Sequence, residues 1–276
     1  MASSLGRVLV IAGSDSGGGA GIQADIKAVM ALGGFATTAL TALTAQNTRG
    51  VTGVLSVPPA FLRAQIDAVM SDIGADAVKT GMLPDTASIM AVADFLSGLS
   101  PHLPFVMDPV MVATSGDRLQ TEDALTALKT RLLPRATVIT PNIPEAELLL
   151  GRRIPDEAAQ AEAARALLST GAAAVLVKGG HLPGESVTDL LATGSGMVAI
   201  RGERIDSTST HGTGCTLASA IAAGLAQGLA LEDAIRRARA YVAAAIRAAP
   251  GIGHGHGPLA HHVTVDPARI AALRQP

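Results

Sequence analysis

The segment from His211 to Thr216 carries the residues best suited to chemistry in this sequence. It reads His-Gly-Thr-Gly-Cys-Thr and opens a helix predicted from a run of small residues. Backbone N–H groups in a glycine-rich turn at a helix N-terminus can hold phosphate oxygens or the negative charge of a transition state. Cys215 would lie at the positive end of the helix dipole, so its thiol pKa is expected to fall below about 8.5. The alternative is a buried structural cysteine after an ordinary turn.

Other glycine-rich segments exclude several common sites. The glycines at 17, 19 and 21 lack the spacing of a dinucleotide fingerprint, and Asp15 would repel a pyrophosphate there. No lysine occupies a Walker position, which excludes a P-loop. The sequence has no Gly-x-Ser-x-Gly elbow, and Lys79-Thr80-Gly81 lacks the upstream Ser-x-x-Lys of penicillin-recognising enzymes. Dinucleotide-binding and hydrolase functions are therefore disfavoured.

Taken singly, the remaining polar candidates have ordinary structural explanations. Glu145 stands near the start of a predicted helix, where an acid complements the dipole. Lys178 follows a predicted strand, where a lysine is typically a solvated charge. Histidines lie at positions 254, 256, 261 and 262, but the glycine and proline residues among them give no rigid geometry for a metal. These residues predict a function only in combination.

The elements that must position these residues alternate between short apolar runs and helical patterns. The predicted strands are 7–12, 36–43, 76–80, 105–108, 137–140 and 173–178, and the predicted helices are 20–32, 59–73, 84–96, 121–132 and 144–150. Continuous apolar strands favour a parallel sheet covered by helices on both faces. Ligands bind beyond the carboxyl ends of strands in such sheets. We therefore expect one α/β domain, residues 1–276, with its site at that edge.

The pattern changes after Lys178. Residues 188–193 and 197–205 are joined across Gly194-Ser195-Gly196, which predicts an antiparallel hairpin. Helical patterns follow at 215–228 and 231–248, and the tail from Pro250 is predicted to be loop.

Composition narrows the partners and the location. The chain has 276 residues, 48% hydrophobic and 16% charged, with a net charge of −2. Only 2% are aromatic, so stacking platforms for nucleic acid are not expected. The small net charge, without any run of like charges, favours neither a polyanion nor a membrane surface as a partner. The uncharged stretches 28–48 and 207–231 are long enough to span a bilayer, but polar residues and glycine interrupt both of them. We interpret the second as a buried helix of small residues rather than a membrane segment. A single cysteine and no signal-like N-terminus predict a cytoplasmic protein.

Longer motifs give the sequence a specific resemblance. They are, in chain order, Ala12-Gly13-Ser14-Asp15-Ser16-Gly17-Gly18-Gly19-Ala20-Gly21-Ile22-Gln23-Ala24-Asp25, Ala45-Gln46-Asn47-Thr48, Lys79-Thr80-Gly81-Met82, Asp108-Pro109-Val110-Met111, Thr140-Pro141-Asn142-Ile143-Pro144-Glu145, Lys178-Gly179-Gly180-His181, the 211–216 segment and Gly255-His256-Gly257-Pro258. With these motifs the chain resembles the hydroxymethylpyrimidine/phosphomethylpyrimidine kinases of thiamine biosynthesis. The resemblance implies a ribokinase-like three-layer α/β/α sandwich, with a mostly parallel central sheet and a small antiparallel hairpin.

The same resemblance implies a reaction and a substrate pocket. ATP would phosphorylate 4-amino-5-hydroxymethyl-2-methylpyrimidine to its monophosphate and then to the diphosphate. The implied substrate contacts are Gly13, Asp25, Gln46, Met82 and Val110. The side-chain amide of Gln46 can donate and accept, which suits a ring nitrogen beside an exocyclic amine.

On the nucleotide side, the resemblance implies a site for ATP and Mg²⁺. Asn142 and Glu145 would lie near the Mg²⁺-bound phosphates, with Asp108 close by and Lys178 on the phosphoryl oxygens. One or two carboxylates are enough for Mg²⁺ when phosphates supply other ligands.

The wider superfamily has an aspartate base where this chain has Cys215, so the Cys215 thiolate is expected to take the proton of the substrate hydroxyl. The N–H groups of Gly212, Thr213 and Gly214 would join it as an anion hole, and those of Gly212 and Gly214 would also contact ATP.

Two other functions stay open at this point. A pyridoxal kinase would use the same phosphate cradle for a different aromatic alcohol, although Gln46-Asn47-Thr48 resembles the pyrimidine kinases more. A non-catalytic pyrimidine-binding regulator is the second alternative, which the presence of Cys215 and Lys178 disfavours. By analogy with the family, the protein is expected to be a homodimer.

Overall fold

The structure is a computed structural model and describes residues 5–111 and 121–273. Its strands are β1 (Arg7–Asp15), β2 (Phe35–Asn47), β3 (Gly50–Ser56), β4 (Ala77–Thr80), β5 (Phe105–Met107), β6 (Val138–Ile139), β7 (Ala174–Val177), β8 (Ser186–Thr193) and β9 (Gly196–Glu203). Its α-helices are α1 (Gly21–Ala31), α2 (Pro59–Asp72), α3 (Thr86–Ser97), α4 (Glu122–Ala127), α5 (Ile143–Leu150), α6 (Glu157–Leu168), α7 (Thr213–Ala226), α8 (Leu231–Arg247) and α9 (Pro267–Ala272). A π-helical turn at Leu128–Leu132 and 3-10 turns at Leu133–Arg135 and His261–Thr264 complete the described elements.

The strands form one sheet in the order β3-β2-β1-β4-β5-β6-β7-β8-β9. The six strands from β2 to β7 in this order are parallel to their neighbours, as predicted. The hairpin predicted after Lys178 is confirmed as β8 and β9, which extend one end of the sheet in antiparallel fashion. The antiparallel strand β3 at the other end was not predicted, because its mostly exposed residues lack apolar alternation. Its pairing carries β2 to Asn47, beyond the predicted end at residue 43.

Alternate residues of the buried strands face opposite helical layers. In β1, Leu9 and Ile11 belong to the core shared with α2–α6. Val8, Val10 and Ala12 belong to the core shared with α1, α7 and α8. Because a strand places successive side chains on opposite faces, the continuous apolar run of β1 serves both cores. The predicted three-layer α/β/α sandwich is therefore confirmed.

Two predictions about helical structure were wrong. Helix α6 was missed, although Asp156 caps it and alanine and glutamate dominate its sequence. The tail from Pro250 is not entirely loop, because it contains the 3-10 turn at His261–Thr264 and α9. Contacts distant in sequence order this tail: His261 shares a 2.9 Å hydrogen bond with the Thr216 hydroxyl, and the Tyr241 hydroxyl donates to the His261 carbonyl over 2.8 Å.

The two long uncharged stretches differ in secondary structure and in burial. Residues 207–231 include α7, which is buried over most of its length between the sheet and its neighbouring helices. Residues 28–48 are divided between α1 and β2 and leave Met30 and Phe35 exposed. Within 5–111 and 121–273, no helix has both the length and the apolar character that crossing a membrane requires.

Candidate active site

A cavity of about 1270 Å³ lies at the carboxyl ends of the parallel strands. The residues that the sequence placed in the site and that line this cavity are Gly13, Gln46, Met82, Asp108, Val110, Asn142, Glu145, Lys178, Gly212, Thr213, Gly214 and Cys215. Asp108 directly follows β5 and Lys178 directly follows β7. These two parallel strands flank β6, so both side chains reach the same edge of the sheet. The predicted location of the site is the location of the cavity.

Lys178 forms the centre of a charged cluster on one side of the cavity. Its ammonium nitrogen lies 3.1 Å from Asp108 Oδ1 and 3.9 Å from Glu145 Oε2. The Thr140 hydroxyl donates to the same Asp108 oxygen over 3.0 Å. Burial opposes the charge of Lys178, but the two carboxylates outweigh burial and raise its pKa above the ordinary value. Lys178 is therefore a fixed cation, held by ion pairs and only 13% exposed.

Asn142 and Glu145 form the capping box that begins α5. The side chain of Asn142 accepts from the Glu145 N–H over 2.9 Å, and Glu145 Oε2 accepts from the Asn142 N–H over 2.8 Å. Burial raises the pKa of Glu145 to about 7, with Asp108 adding to the rise and Lys178 opposing it. One lysine thus faces two buried carboxyl groups, so this side of the cavity is short of positive charge.

This donor set fits Mg²⁺ only together with a ligand. Asp108 and Glu145 offer the carboxylate oxygens that Mg²⁺ takes in proteins, and the unbalanced negative charge beside them favours a cation. Among the described residues, no group of three or more His, Cys, Asp and Glu side chains is arranged to hold a metal ion. A magnesium ion at this site would therefore depend on phosphate oxygens for most of its remaining ligands.

The N-terminus of α7 lies against this charged cluster. Gly212 caps the helix in the left-handed region at φ 83°, and a Cβ placed on it would lie 1.8 Å from the Gly19 carbonyl oxygen. Glycine is therefore required there for both conformation and space. A Cβ placed on Gly214 would lie 3.2 Å from Lys178 Nζ and 3.6 Å from Asp108 Oδ2. The first turn of α7, with N–H groups that have no partner within the helix, borders Lys178.

Cys215 lines the cavity, but its protonation differs from the prediction. Burial raises the pKa of the thiol to about 12; Lys79 and a hydrogen bond from the Gly21 N–H lower it, while Asp25 and Asp108 raise it further. The prediction that the helix N-terminus lowers this pKa was therefore wrong. Loss of hydration and two nearby carboxylates outweigh the helix terminus, so Cys215 is a neutral thiol at pH 7 in this structure.

The opposite side of the cavity holds a glutamine and an apolar slot. The side-chain amide nitrogen of Gln46 lies 3.3 Å from the His211 ring, and its amide oxygen accepts from the Thr44 hydroxyl over 3.1 Å. A Cβ placed on Gly13 would come within 2.7 Å of the terminal methyl of Met82. The absence of a side chain at position 13 thus makes room for Met82, and Val110 completes the apolar lining.

Asp15 and His211 join the two sides, a role that sequence reasoning missed. Asp15 accepts from the N–H groups of Gly17, Gly19 and Ala20, and its Oδ2 lies 2.9 Å from the His211 ring nitrogen. Burial opposes ionisation, but the hydrogen bonds from His211 and the backbone lower the Asp15 pKa to about 2. An aspartate before a glycine run is a signal for such a turn, which could have been used. The contact with His211, distant in sequence, had no such signal.

Asp25 is the predicted substrate contact that the structure does not bring to the cavity. It is fully buried and does not line the cavity. Its Oδ1 accepts from Lys79 Nζ over 2.6 Å and from the Ser219 hydroxyl over 2.7 Å. Asp25 lies one turn of α1 beyond Gly21, and this register directs it between α1, α7 and β4. Its assignment as part of the substrate pocket is corrected accordingly.

Comparison with known proteins agrees with this geometry. Residues 15–260 match the family model for phosphomethylpyrimidine kinase. The chain is 54% identical to the hydroxymethylpyrimidine/phosphomethylpyrimidine kinase of Rhizobium meliloti over 256 residues, which cover 92% of this chain and 96% of that protein. It is 53% identical over 264 residues to the thiamine biosynthesis bifunctional protein ThiED of Geobacter sulfurreducens, covering 96% of this chain but only 54% of that longer protein.

A solved structure shares the fold. The crystal structure of an ADP complex of Bacillus subtilis pyridoxal kinase superposes with a TM-score of 0.87 at 36% sequence identity, covering 94% of this chain and 98% of that one. The sandwich described above is therefore the ribokinase-like fold predicted from the sequence. Since a family model covers most of the chain and relatives exceed 50% identity along nearly all of it, this protein belongs to the phosphomethylpyrimidine kinase family.

Proposed function

We propose that this protein transfers the γ-phosphoryl group of ATP to the hydroxymethyl group of 4-amino-5-hydroxymethyl-2-methylpyrimidine, and then a second phosphoryl group to the resulting monophosphate. One observation carries the proposal. A single cavity has the start of α7 beside the Lys178 cluster on one side and Gln46 with an apolar slot on the other. Family membership supplies the identity of the two substrates.

The Lys178 side of the cavity is the proposed nucleotide site. Mg²⁺, when bound with ATP, would neutralise phosphate charge, with Asp108 and Glu145 as its protein ligands. Lys178 and the N–H groups of Gly212, Thr213 and Gly214 would stabilise the charge on the transferring group, and Asn142 would contact the phosphates through the start of α5. The ion pair with Asp108 holds Lys178 in place before any nucleotide arrives.

On the other side, Gln46 would pair with a ring nitrogen and the exocyclic amine of the pyrimidine. Gly13, Met82 and Val110 would hold the ring against their apolar surface. The hydrogen bond from the Thr44 hydroxyl orients the Gln46 amide, whose nitrogen lies beside the His211 ring. The hydroxymethyl oxygen would then face both Cys215 and the γ-phosphoryl group.

Cys215 is proposed to accept the substrate proton. As the hydroxymethyl oxygen bonds to the γ-phosphorus, the bond from that phosphorus to the bridging oxygen of ATP breaks and ADP leaves. Cys215 would enter this step as the thiolate, after its own proton has passed to solvent, and would take up the hydroxyl proton. Because phosphoryl transfer has a loose transition state, positioning and charge stabilisation matter more than early deprotonation. Burial holds the thiol pKa at about 12, so the thiolate is the minor form at neutral pH, and nearby positive charge from Lys79 favours it.

The test is product analysis with purified protein and MgATP. Hydroxymethylpyrimidine should give the monophosphate and then the diphosphate, followed by phosphorus NMR or chromatography, with one ADP released per phosphoryl group transferred. Pyridoxal is the comparison substrate, since the structurally similar Bacillus subtilis protein is a pyridoxal kinase. A higher kcat/KM for pyridoxal would contradict the proposed substrate. If the protein releases no ADP with either substrate, the non-catalytic alternative is favoured.

A homodimer is proposed on separate grounds. Strand β3 is an edge of the sheet, with Val54 53% exposed and Leu55 65% exposed, and Leu43 and Phe61 are exposed nearby. Unpaired edge strands with apolar side chains favour pairing with another chain. Light scattering should give twice the monomer mass, and Leu55→Lys should reduce it; a monomer in the unmodified protein would contradict the proposal. The single-domain organisation and the cytoplasmic location stay predictions.

A further inference from the structure

A buried charged cluster lies beneath the cavity and has no part in the mechanism so far. It consists of Lys79 on β4, Asp25 on α1 and Ser219 on α7, which we call the Lys79 cluster. Lys79 and Asp25 are both 0% exposed and form an ion pair of 2.6 Å, and the Ser219 hydroxyl donates to the same Asp25 oxygen. A lysine in a hydrophobic core loses its hydration, so such a pair adds little to stability compared with apolar residues of the same size. Its presence calls for another explanation.

The helical register connects the Lys79 cluster to Cys215. Ser219 lies four residues after Cys215 on α7, and Asp25 lies four residues after Gly21 on α1. Residues four apart share a helix face, separated by about 6 Å along the axis. The Gly21 N–H donates to the Cys215 thiol at the cavity, and Ser219 donates to Asp25 one turn deeper. Lys79 belongs to this inner level of the same two-helix contact.

Charged groups reach Cys215 from every side of this contact. Lys79 approaches from β4, Asp25 from α1, Asp108 from the end of β5 and Lys178 from the end of β7. Lys178 is already held by two carboxylates at the cavity. Lys79 has one carboxylate partner, Asp25, whose Oδ2 has no hydrogen-bond partner among the described residues. Lys79 therefore lies beneath Cys215 with a single carboxylate partner, and its charge lowers the pKa of the thiol.

We propose that Lys79 is a positioning residue for phosphoryl transfer: its buried ammonium group stabilises the Cys215 thiolate, and the Asp25 and Ser219 contacts hold that charge one helical turn beneath the cavity. The proposal rests on the proposed base role of Cys215. The step is the proton transfer already described, in which the hydroxyl proton of the substrate ends on sulfur. Lys79 neither gains nor loses a proton in it.

The experiment measures the thiolate directly. Cys215 is the only cysteine in the chain, so the rate of iodoacetamide alkylation as a function of pH reports its ionisation without interference. The main variant is Lys79→Met/Asp25→Asn, which removes both charges and leaves no unpaired ion in the core. The two losses act on the thiol in opposite directions, and the loss of Lys79 outweighs that of Asp25. Arg63→Met/Asp67→Asn is the matched control, because it removes an exposed ion pair of 2.7 Å on α2 and leaves the Lys79 cluster intact. Circular dichroism and a thermal melt select folded variants.

Lys79→Met/Asp25→Asn should alkylate about tenfold more slowly than the unmodified protein at pH 8, and its kcat–pH profile should move to higher pH with an unchanged KM for ATP. Arg63→Met/Asp67→Asn should stay within about twofold of the unmodified protein in both measurements. Equal alkylation rates in the folded double variant and the unmodified protein would overturn the proposal. If that variant does not fold, Lys79→Arg is measured instead. Lys79→Arg keeps the positive charge, so it should retain the alkylation profile of the unmodified protein. A shift of that profile to higher pH would contradict the role given to the charge.

A second measurement separates this proposal from the function on which it rests. Alkylation requires no substrate, so it tests the influence of Lys79 on the thiol even in a protein without kinase activity. Full turnover by Cys215→Ala at saturating substrates would remove the base role, and with it the part of Lys79 in the reaction. If the unmodified protein phosphorylates its substrate but the alkylation profile is the same with and without Lys79, the inference about Lys79 fails and the proposed function stands.

Discussion

Replacing Gly212 by alanine tests whether the start of α7 must touch the loop after β1. Gly212 precedes α7 and Gly228 follows it, and both have φ of 83°. A Cβ on Gly212 would lie 1.8 Å from the Gly19 carbonyl oxygen, whereas a Cβ on Gly228 would have nothing within 4 Å. Gly228→Ala is therefore a matched control that shares the backbone strain and lacks the collision.

The structure gives the size of the expected effect. An alanine in left-handed conformation costs about 1–2 kcal/mol, so both variants should lose about that much free energy of unfolding. At Gly212, the Cβ contact must also open from 1.8 Å to at least 3.0 Å, which separates the two backbones by about 1 Å. Because Gly19 belongs to the turn held by Asp15, the contact between Asp15 and His211 should loosen. A misplacement of about 1 Å in a site can lower the rate on the order of 100-fold.

The assay pairs steady-state kinetics with urea unfolding. Gly212→Ala should lower kcat/KM about 100-fold and unfold more easily than Gly228→Ala, which should keep kcat/KM within about twofold. Kinetics are followed by coupled detection of ADP. If the two alanine variants proved equal in both kcat/KM and stability, the argument that the α7 start is held by its contact with Gly19 would fail.

Three further predictions concern the tail, the charged cluster and the metal. Burial lowers the pKa of His261 from 6.5 to about 4, so the folded chain binds fewer protons than the unfolded chain. The contribution of His261 to stability is therefore full above pH 6.5 and falls by up to about 3 kcal/mol as the pH drops to about 4. Urea unfolding at pH 7 and pH 5 should show this loss, and His261→Gln should reduce it. Lys178→Met should lower kcat about 100- to 1,000-fold, because the transferring group loses its fixed cation, with pyrimidine affinity by calorimetry unchanged; a change in affinity without a change in kcat would contradict the assigned role. EDTA should stop turnover and added Mg²⁺ should restore it, with no shift in the melting temperature of the nucleotide-free protein, because the metal ligands are completed by phosphates.

Local sequence was sufficient for the framework of this protein. The apolar runs that become β1 and β7 are continuous because both of their faces are buried, and this pattern is visible without coordinates. Asp108 and Lys178 follow their strands directly, so the parallel arrangement alone brings them to one edge. Helix α6 was also predictable from its cap and composition, and its omission was an error of interpretation.

Features that depend on neighbours distant in sequence were not predictable. Strand β3 pairs through its backbone while its side chains stay exposed, so no apolar pattern marks it. Asp25 lies in a motif that reaches the cavity, yet the register of α1 turns it toward Lys79 instead. The pair of Asp15 and His211 joins residues 196 positions apart.

Cys215 shows the same division in one residue. The neighbouring residues in the sequence determined that Cys215 lies in the first turn of a helix that follows a glycine, and that property is local. Only the packing of α1, β4 and the end of β5 around it decided that its pKa rises rather than falls. The field of a helix terminus depends on the residues of that helix, whereas hydration of a thiol depends on every segment that excludes water from it.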